Sequence, residues 1–196
     1  VYVHNKEVEA GGISGTVRAM GYHSEYKLLK QLWDDSTSAI TTDSDSEMLV
    51  YVDIGANIGA CVMHMYHETT VPTILAFEPH PYNFNCLRSS AQAVHDRRQR
   101  RLLQQHQQTQ QEPRQEQQQL QLHDRNLILM PIGIGDVSNR TDMIYSTPGN
   151  MGESVVGRGG GNGIPIHIER FDDVVSLNNP NNNDGKKVRV PLLKID

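Results

Sequence analysis

The stretch Val52-Asp53-Ile54-Gly55-Ala56-Asn57-Ile58-Gly59 decides the fold of this chain. It completes an apolar run, residues 47–52, that is short enough for a buried strand, and it precedes a segment that can form a helix, residues 60–68. Its glycines let a ligand approach the backbone closely. Strand, glycine turn and helix together predict the first βα unit of a Rossmann-like sheet, in which ligands bind beyond the carboxyl ends of the strands.

A second strand is predicted over residues 73–77, and it ends at Glu78. Glu78 lies 19 residues after Gly59, close to the spacing at which a strand-end carboxylate accepts hydrogen bonds from both hydroxyls of a ribose. The turn matches the dinucleotide motif G-x-G-x-x-G poorly, because it contains only Gly55 and Gly59. Asp53 would repel a pyrophosphate but favour a cation such as the methionine portion of S-adenosylmethionine.

Composition limits the size of the core and the class of partner. The 196 residues fit one domain that is long enough to bury a core. Hydrophobic residues make up only 37% of the chain and the mean hydropathy is -0.53, so the core is expected in a few segments. The net charge of -5 suggests neither nucleic acid nor an anionic membrane as a partner, and no run approaches the roughly 18 apolar residues of a membrane helix.

The remaining apolar runs predict further elements of the sheet. Strands are expected at 127–134, at 143–146, at 164–168 as an edge strand, and at 188–195 in the same parallel sheet. Helices are expected at 24–33, from about residue 82 onward, and at 171–175. Segments 147–163 and 178–185 are rich in Gly and Asn and are predicted to be mobile loops. Residues 149–154 are a candidate lid over the acceptor, with an exposed linker as the alternative.

Four motifs taken together resemble the FkbM family of methyltransferases. They are the first turn, Asp53 to Gly59; the second strand end, Phe77-Glu78-Pro79-His80-Pro81; Pro131-Ile-Gly-Ile-Gly-Asp136; and Leu192-Leu193-Lys194-Ile195-Asp196. The family's DxGANxG turn, its FEP strand end and its LLKID strand occur in the family's order and spacing, from about residue 47 to 196. The resemblance implies an α/β fold, the doubly wound Rossmann-like sheet of class I methyltransferases. It also implies S-adenosylmethionine as cofactor and a hydroxyl acceptor on a sugar, another glycan or a small molecule.

The same resemblance assigns roles to individual residues. It places four residues of the first turn along the methionine side of the cofactor: Asp53, Gly55, Asn57 and Gly59. Glu78 would hold the ribose. Asp136 would lie near the adenine, but it ranks below Glu78 because it lies several residues past its strand, where capping a turn is the alternative.

Methyl transfer to an alcohol requires alignment and removal of the acceptor proton. Asp196, at the end of the last strand, is predicted to act as the general base or to hold a divalent ion that lowers the hydroxyl pKa, although no other feature supports a metal. A structural carboxylate is the alternative. Lys194 is expected to point away from the site. His64 and His67 fit packing or surface positions better than a metal site.

Domain boundaries follow the composition. Residues 1–46 are expected to form a helical and loop extension, and residues 47–196 a partial methyltransferase domain whose carboxyl-terminal strands are missing, since the chain starts without Met and stops at a strand end. The Gln-rich tract, at about 97–124, is predicted to be a projecting insertion, because it lacks apolar side chains to offset its ordering entropy. A polar helix that extends the preceding one is the alternative. Cys61 and Cys86 fit small buried apolar positions better than a disulfide.

Two other functions compete with methyl transfer. An NAD-dependent oxidoreductase would use a similar sheet, but the missing third glycine and the presence of Asp53 count against it. A non-catalytic scaffold would use the Gln-rich tract for interaction, but the retention of Asp53 and Glu78 argues against decay of the site. The sequence does not identify the acceptor, the oligomeric state or the compartment.

Overall fold

A computed structural model describes residues 3, 17, 26–38, 40, 47–108, 125–147, 150–157, 162–177 and 187–196. The elements in chain order are α1 (Tyr26–Ser38), β1 (Glu47–Ile54), α2 (Ala60–Glu68), β2 (Thr73–Phe77), α3 (Pro81–Gln108), β3 (Asn126–Met130), β4 (Gly133–Gly135), β5 (Arg140–Thr147), β6 (Asn150–Val156), β7 (Ile164–Arg170), α4 (Phe171–Leu177) and β8 (Lys187–Ile195). The predicted loop at 178–185 lies outside the described residues.

The first sheet has the strand order β3-β2-β1-β8, and all of its neighbouring strands are parallel. All five residues of β2 are buried, as are Val50 to Asp53 of β1. Strands that are covered on both faces have continuous apolar sequences, and this is why β1 and β2 were evident in the sequence. The prediction of an α/β fold with a parallel sheet is confirmed at this level of detail.

The strand order reverses at β1. From β1 the chain runs outward to β2 and β3, and β8 then pairs with the other side of β1. Such a reversal opens a crevice at the carboxyl ends of the two strands that flank it. The residues at this point are Gly55, which follows β1, and Asp196, which follows β8.

Alternate side chains of the parallel sheet enter two separate clusters. Tyr51 and Ile74 pack with apolar residues of α1, α2 and α3, including Trp33 and Leu87. The opposite face packs against α4 and β4, and its buried members are Val50, Val52, Leu75, Phe77, Met130 and Val174. The sheet is therefore a middle layer with apolar contacts on both faces, as the α/β class requires.

The second sheet has the order β4-β7-β5-β6, with β4 parallel to β7 and β5 antiparallel to both of its neighbours. Among the described residues, its cluster of buried side chains consists of Ile144, Ile166 and Ile168. The prediction of one strand over 127–134 was wrong, because β3 ends at Met130 and β4 belongs to the other sheet. Pro131 lies between them and has no N–H for a strand ladder.

Two further predictions in this region were wrong. Segment 147–163 is not only loop, because β6 forms within it and pairs with β5 at Tyr145 and Val155. Only residues 148 and 149 separate the two strands, which is a hairpin spacing. The strand predicted at the sheet edge is β7, which instead lies between β4 and β5.

Helix α3 extends from Pro81 to Gln108, well into the Gln-rich tract. The alternative prediction, a polar helix continuing the preceding one, is confirmed as far as residue 108, and residues 109–124 lie outside the described part of the chain. Cys61 is buried and Cys86 is half-buried, and they do not form a disulfide, as predicted. Within the described residues, no helix combines the length and the apolar character needed to cross a membrane.

Candidate functional site

A cleft of about 640 Å³ lies at the carboxyl end of the parallel sheet, where the second sheet faces it. The parallel sheet and its connections contribute Ile54, Gly55, Asn57, Phe77, Glu78, Pro79, Asn83 and Asp196. The strand β4 and the rest of the second sheet contribute Ile132, Gly133, Ile134, Arg140, Ile144, Ser154, Val156 and Ile168. The cleft has the size of a small-molecule site and combines a mostly polar side with a mostly apolar one.

Two grooves beside α3 have slightly larger volumes, about 720 and 680 Å³. The first is lined only by residues of α3, including Arg88, Arg97 and Arg100, and the second runs between α3 and the edge strand β3. Neither brings together the ends of several strands. The cleft at the strand reversal is therefore the candidate site, since ligands of open α/β sheets bind there.

The turn after β1 is fixed by hydrogen bonds to β2. The N–H groups of Gly55 and Ala56 both donate to the carbonyl of Phe77, each at 2.9 Å. Gly55 has a φ of +81°, and a Cβ atom there would lie 3.1 Å from the Cβ of Asp196. The Asp196 N–H donates to the Ile54 carbonyl at 3.0 Å. Glycine at this position thus permits both the backbone conformation and the close approach of the β8 end.

Gly59 has a different role from Gly55. Its φ is +82°, and a Cβ atom there would lie only 2.4 Å from Cδ1 of Leu87 in α3. Gly59 therefore allows α2 to begin close to α3, and it does not line the cleft. Asn57 does line the cleft, with a φ of +53° and a side-chain oxygen that accepts the Ile58 N–H at 2.8 Å.

Glu78 lines the cleft at the end of β2, with only 4% of its surface exposed. One carboxylate oxygen accepts the Asn57 N–H at 2.7 Å, and the other accepts the His80 N–H at 2.8 Å. Burial raises the pKa of Glu78 to about 7, although these hydrogen bonds oppose the shift. The oxygen that accepts the Asn57 N–H keeps a lone pair for a ligand, whereas the other oxygen also accepts a long hydrogen bond from Nδ2 of Asn83 at 3.5 Å. A ligand with two neighbouring hydroxyls would therefore use the open lone pair and replace the long Asn83 contact.

A buried group of charges lies behind the turn. The carboxylate of Asp53 is fully buried, accepts a hydrogen bond from the Tyr51 hydroxyl at 3.2 Å, and lies 3.3 Å from Nζ of Lys194. Burial raises the pKa of Asp53 to about 6 and outweighs the attraction of Lys194. Burial also raises the pKa of the Tyr51 phenol. Asp53 thus supports the turn from beneath and does not line the cleft.

The expectation that Lys194 points away from the site was wrong. Its side chain is 10% exposed, and Nζ bridges Asp53 and the carboxylate of Asp196. Burial disfavours the ammonium, but attraction to Asp53 and the hydrogen bond to Asp196 raise the pKa of Lys194. Two carboxylates at neighbouring strand ends attract the lysine inward, an effect that single-residue reasoning did not include.

Asp196 and Asp136 occupy contrasting environments. Asp196 lines the cleft, and its side chain is 49% exposed beside the ammonium of Lys194. Asp136 has an 83% exposed side chain, does not line the cleft and pairs with Arg140 at 3.3 Å. Arg140 does line the cleft, and it also contacts Asp142 at 3.5 Å. Of the sequence-predicted site residues, the cleft therefore brings together Gly55, Asn57, Glu78 and Asp196.

Sequence reasoning missed a polar chain that crosses from the first sheet to the second. His80 is fully buried, and its Nε2 lies 2.8 Å from Oγ of Ser146 on β5. That hydroxyl lies 2.9 Å from Oγ of Ser154 on β6, which lines the cleft. The position of His80 two residues after Glu78 was a usable signal, but the hairpin that carries the serines was predicted as a loop.

The other histidines discussed in the sequence pack against aromatic rings. His64 stacks on Tyr26 with ring centroids 4.5 Å apart, and burial lowers its pKa. His67 contacts the Tyr66 ring edge-on at 5.7 Å. The prediction of packing or surface positions is confirmed, because His64 packs half-buried on a ring and His67 is exposed. Among the residues that the structure describes, no group of three or more His, Cys, Asp and Glu side chains is arranged to hold a metal ion.

Comparison of the sequence with protein-family models, with curated proteins and with solved structures finds no match. The resemblance to FkbM methyltransferases therefore rests on the motifs alone. The site is defined by its geometry: a cleft at a strand reversal, a glycine turn, a buried carboxylate at one strand end and a half-exposed carboxylate at another.

Proposed function

We propose that this chain is an S-adenosylmethionine-dependent methyltransferase of class I, with a hydroxyl of a sugar or small molecule as the acceptor. The observation that carries the proposal is Glu78. This buried carboxylate lines a cleft beside a glycine turn, and its pKa of about 7 reflects a cost of burial that its hydrogen bonds to the protein do not fully offset. A ligand with two adjacent hydroxyls would offset the cost by donating hydrogen bonds to the ionised form.

The polar and apolar sides of the cleft suit different parts of the cofactor. Glu78 suits the ribose, while Ile132 and Ile134 suit a flat aromatic base such as adenine. The turn at Gly55 and Asn57 suits the amino acid portion, with Lys194 and two carboxylates close behind it. When bound, the cofactor supplies a methyl carbon that its sulfonium activates.

The chain's own residues then align the acceptor and exclude water. We assign Asp196 to the acceptor hydroxyl, because its carboxylate lines the cleft next to the glycine turn. Ile144, Val156 and Ile168 form an apolar wall on the second sheet, which limits the water around the reacting groups. The roles are thus divided between a polar parallel-sheet side and an apolar wall.

Calorimetric titration of S-adenosylmethionine, S-adenosylhomocysteine and NAD into the full chain tests the proposal. We expect the first two to bind and NAD not to bind. Glu78→Gln should weaken S-adenosylhomocysteine by about 10- to 100-fold, because it removes charge-assisted hydrogen bonds worth about 1.5–3 kcal/mol. Glu169→Gln is the matched control, since Glu169 is a carboxylate on β7 outside the cleft lining.

The possible results lead to distinct conclusions. Thermal unfolding of each variant separates loss of the site from loss of the fold, because Glu78 also accepts two backbone N–H groups. Binding of NAD alone would favour an oxidoreductase, and binding of none of the three ligands would favour a scaffold. Equal weakening by Glu78→Gln and Glu169→Gln would remove Glu78 from the site.

Asp196→Asn tests the acceptor side. If Asp196 contacts the acceptor hydroxyl, kcat should fall by about 100-fold or more, while the Kd for S-adenosylhomocysteine should change by less than about threefold. Asp34→Asn is the control, because Asp34 is a similarly exposed carboxylate beside Lys30 on α1, outside the cleft lining. Full turnover in Asp196→Asn, measured as S-adenosylhomocysteine release, would contradict the assignment.

A further inference from the structure

We propose that Ser154, Ser146 and His80 form a relay that receives the proton of the acceptor hydroxyl. The inference rests on the proposed methyl transfer and adds a route for the proton that the reaction releases. The three residues come from three segments: His80 from the connection between β2 and α3, Ser146 from β5 and Ser154 from β6. The relay thus joins the two sheets, and Ser154 is its end at the cleft.

The geometry of the relay is continuous from the cleft to the interior. Ser154 lines the cleft, its Oγ is 2.9 Å from Oγ of Ser146, and that oxygen is 2.8 Å from Nε2 of His80. Both distances are those of ordinary hydrogen bonds that involve hydroxyl groups. Both serines are half-buried and the imidazole is fully buried, so the path leads away from solvent.

The hydrogen-bonding properties of the three groups set the direction of proton transfer. A serine hydroxyl donates one hydrogen bond and accepts two, whereas a neutral imidazole has one nitrogen that accepts a proton near neutral pH. If Ser146 donates to Nε2 of His80, and Ser154 donates to Ser146, an oxygen lone pair of Ser154 faces the cleft. An acceptor hydroxyl in the cleft can then donate to Ser154.

The step balances in atoms and charge. The acceptor oxygen forms a bond to the methyl carbon as the carbon–sulfur bond breaks, and that electron pair stays on sulfur. The acceptor proton moves to Oγ of Ser154, the Ser154 proton moves to Oγ of Ser146, and the Ser146 proton moves to Nε2 of His80. The positive charge lost by the sulfonium is then carried by the imidazolium, and Asp196 orients the hydroxyl.

Two ionisable groups on neighbouring elements contact His80 or its backbone. Glu78 at the end of β2 accepts the His80 N–H, and the Tyr82 ring at the start of α3 lies 5.7 Å from the imidazole. From the second sheet, the Ser146 hydroxyl contacts the imidazole, and the Ser154 hydroxyl contacts Ser146. Because Glu78 titrates near neutral pH, the pH dependence of kcat must be measured at saturating cofactor, where Glu78 is held by its ligand.

The first readout does not depend on turnover. In the full chain with ¹⁵N-labelled histidine rings and bound S-adenosylhomocysteine, we expect Nε2 of His80 to be the unprotonated nitrogen at neutral pH. The signal is assigned by its loss in His80→Gln. A proton on Nε2 would overturn the relay, because that nitrogen would then be a donor to Ser146 and unable to accept a proton.

The second readout is kinetic, with methyl glycosides as simple hydroxyl acceptors. His80→Gln keeps a polar group close to the position of Nε2 but cannot carry the proton. We expect kcat to fall by about 100-fold or more with KM nearly unchanged, and the rise of kcat with pH in the unsubstituted chain to disappear. His64→Gln is the matched control, because His64 packs on Tyr26.

Variants at Ser154 distinguish a role of its hydroxyl in proton transfer from a role of its side chain in packing. Ser154→Ala should lower kcat as His80→Gln does, whereas Ser154→Thr, which keeps the hydroxyl, should restore most of it. A His80→Gln variant that retains the pH-dependent rise in kcat would overturn the relay. Failure of S-adenosylmethionine to bind would instead overturn the proposed methyl transfer, and the calorimetric titration detects that failure separately.

Discussion

The two sheets of this protein differ in how strongly their surroundings fix them. The parallel sheet has apolar clusters on both faces, and the residues at its centre, such as Tyr51 and Phe77, have no exposed surface. The second sheet has three buried isoleucines, and Val155 and Val156 on its outer strand are exposed. The parallel sheet is thus the well-packed part of the molecule, and the second sheet is the less buried part.

The two sheets contribute different kinds of residues to the cleft. The parallel sheet holds the backbone of the glycine turn at the end of β1, and it holds the carboxylates of Glu78 and Asp196 at the ends of the two strands that flank β1. The second sheet contributes the apolar wall and Ser154. Under the proposed function, the ribose and the amino acid portion of the cofactor would contact the well-packed parallel sheet, which also provides Asp196 for the acceptor. The second sheet, which has fewer constraints, would provide Ile134 for the adenine and Ser154 for the acceptor.

The largest expected effect on stability is that of replacing Gly59, which has a positive φ beside the parallel sheet. Gly157, which has a positive φ beside the second sheet, provides the comparison. Gly59→Ala should lower the free energy of unfolding by about 3 kcal/mol, because a strained φ adds to a Cβ only 2.4 Å from Leu87. Gly157→Ala should cost about 1 kcal/mol, because no atom of the described residues lies within 4 Å of its Cβ position and the strain at a φ of +101° is the cost that applies. Urea unfolding measures both values.

The Gly59 experiment has an internal control. Adding Leu87→Ala to Gly59→Ala removes the atom that the new Cβ would meet, so the two substitutions should be less than additive. Equal costs for Gly59→Ala and Gly157→Ala would show that close packing beside the parallel sheet adds nothing to the strain of the turn.

A smaller effect is expected in the pH dependence of the free energy of unfolding. The pKa of Glu78 is raised from 4.5 to about 7 on folding, so the folded state binds a proton more tightly than the unfolded state. The free energy of unfolding should therefore fall as pH rises from 4.5 to 7, by about 2 kcal/mol between pH 5 and pH 7 for Glu78 alone. Asp53, with its pKa raised to about 6, contributes in the same direction at lower pH.

Urea unfolding of the ligand-free protein across this pH range measures the slope. Glu78→Gln should flatten it, because the amide does not titrate. On the second sheet, a hydrogen bond from His167 lowers the pKa of the half-buried Glu169, so Glu169→Gln should leave the slope from pH 5 to pH 7 unchanged. If stability depends on pH equally in Glu78→Gln and in the unsubstituted chain, burial does not raise the pKa of the Glu78 carboxyl.

The smallest expected effect is at Asp136. Its side chain is exposed, and its contact with Arg140 is a surface ion pair, so Asp136→Ala should change the free energy of unfolding by less than about 0.5 kcal/mol. The Kd for S-adenosylhomocysteine should change by less than about twofold. A loss of affinity of tenfold or more would restore the predicted role of Asp136 near the adenine.

The parallel sheet was predictable from local sequence because both of its faces are covered. Buried β2 is a continuous apolar run, and the bounds predicted for β2 and α2 agree with the structure. The second sheet was harder to predict because its strands are short and only partly buried, so their apolar pattern is weak. Pro131 and the two-residue connection after Thr147 were the available signals for the break and for the hairpin.

The amino-acid sequence by itself determined the glycine turn, the strand that precedes it and the carboxylates at 78 and 196, because backbone conformation and apolar runs are local properties. Only the tertiary structure decided which of these residues face the cleft. It buried Asp53 beneath Lys194, packed Gly59 against α3, and joined His80 to Ser146 and Ser154 across two sheets. Apart from the Ser146–Ser154 pair, those contacts join residues 28 to 141 positions apart in the chain, and the energies of burial and charge pairing that set them exist only after the sheets have assembled.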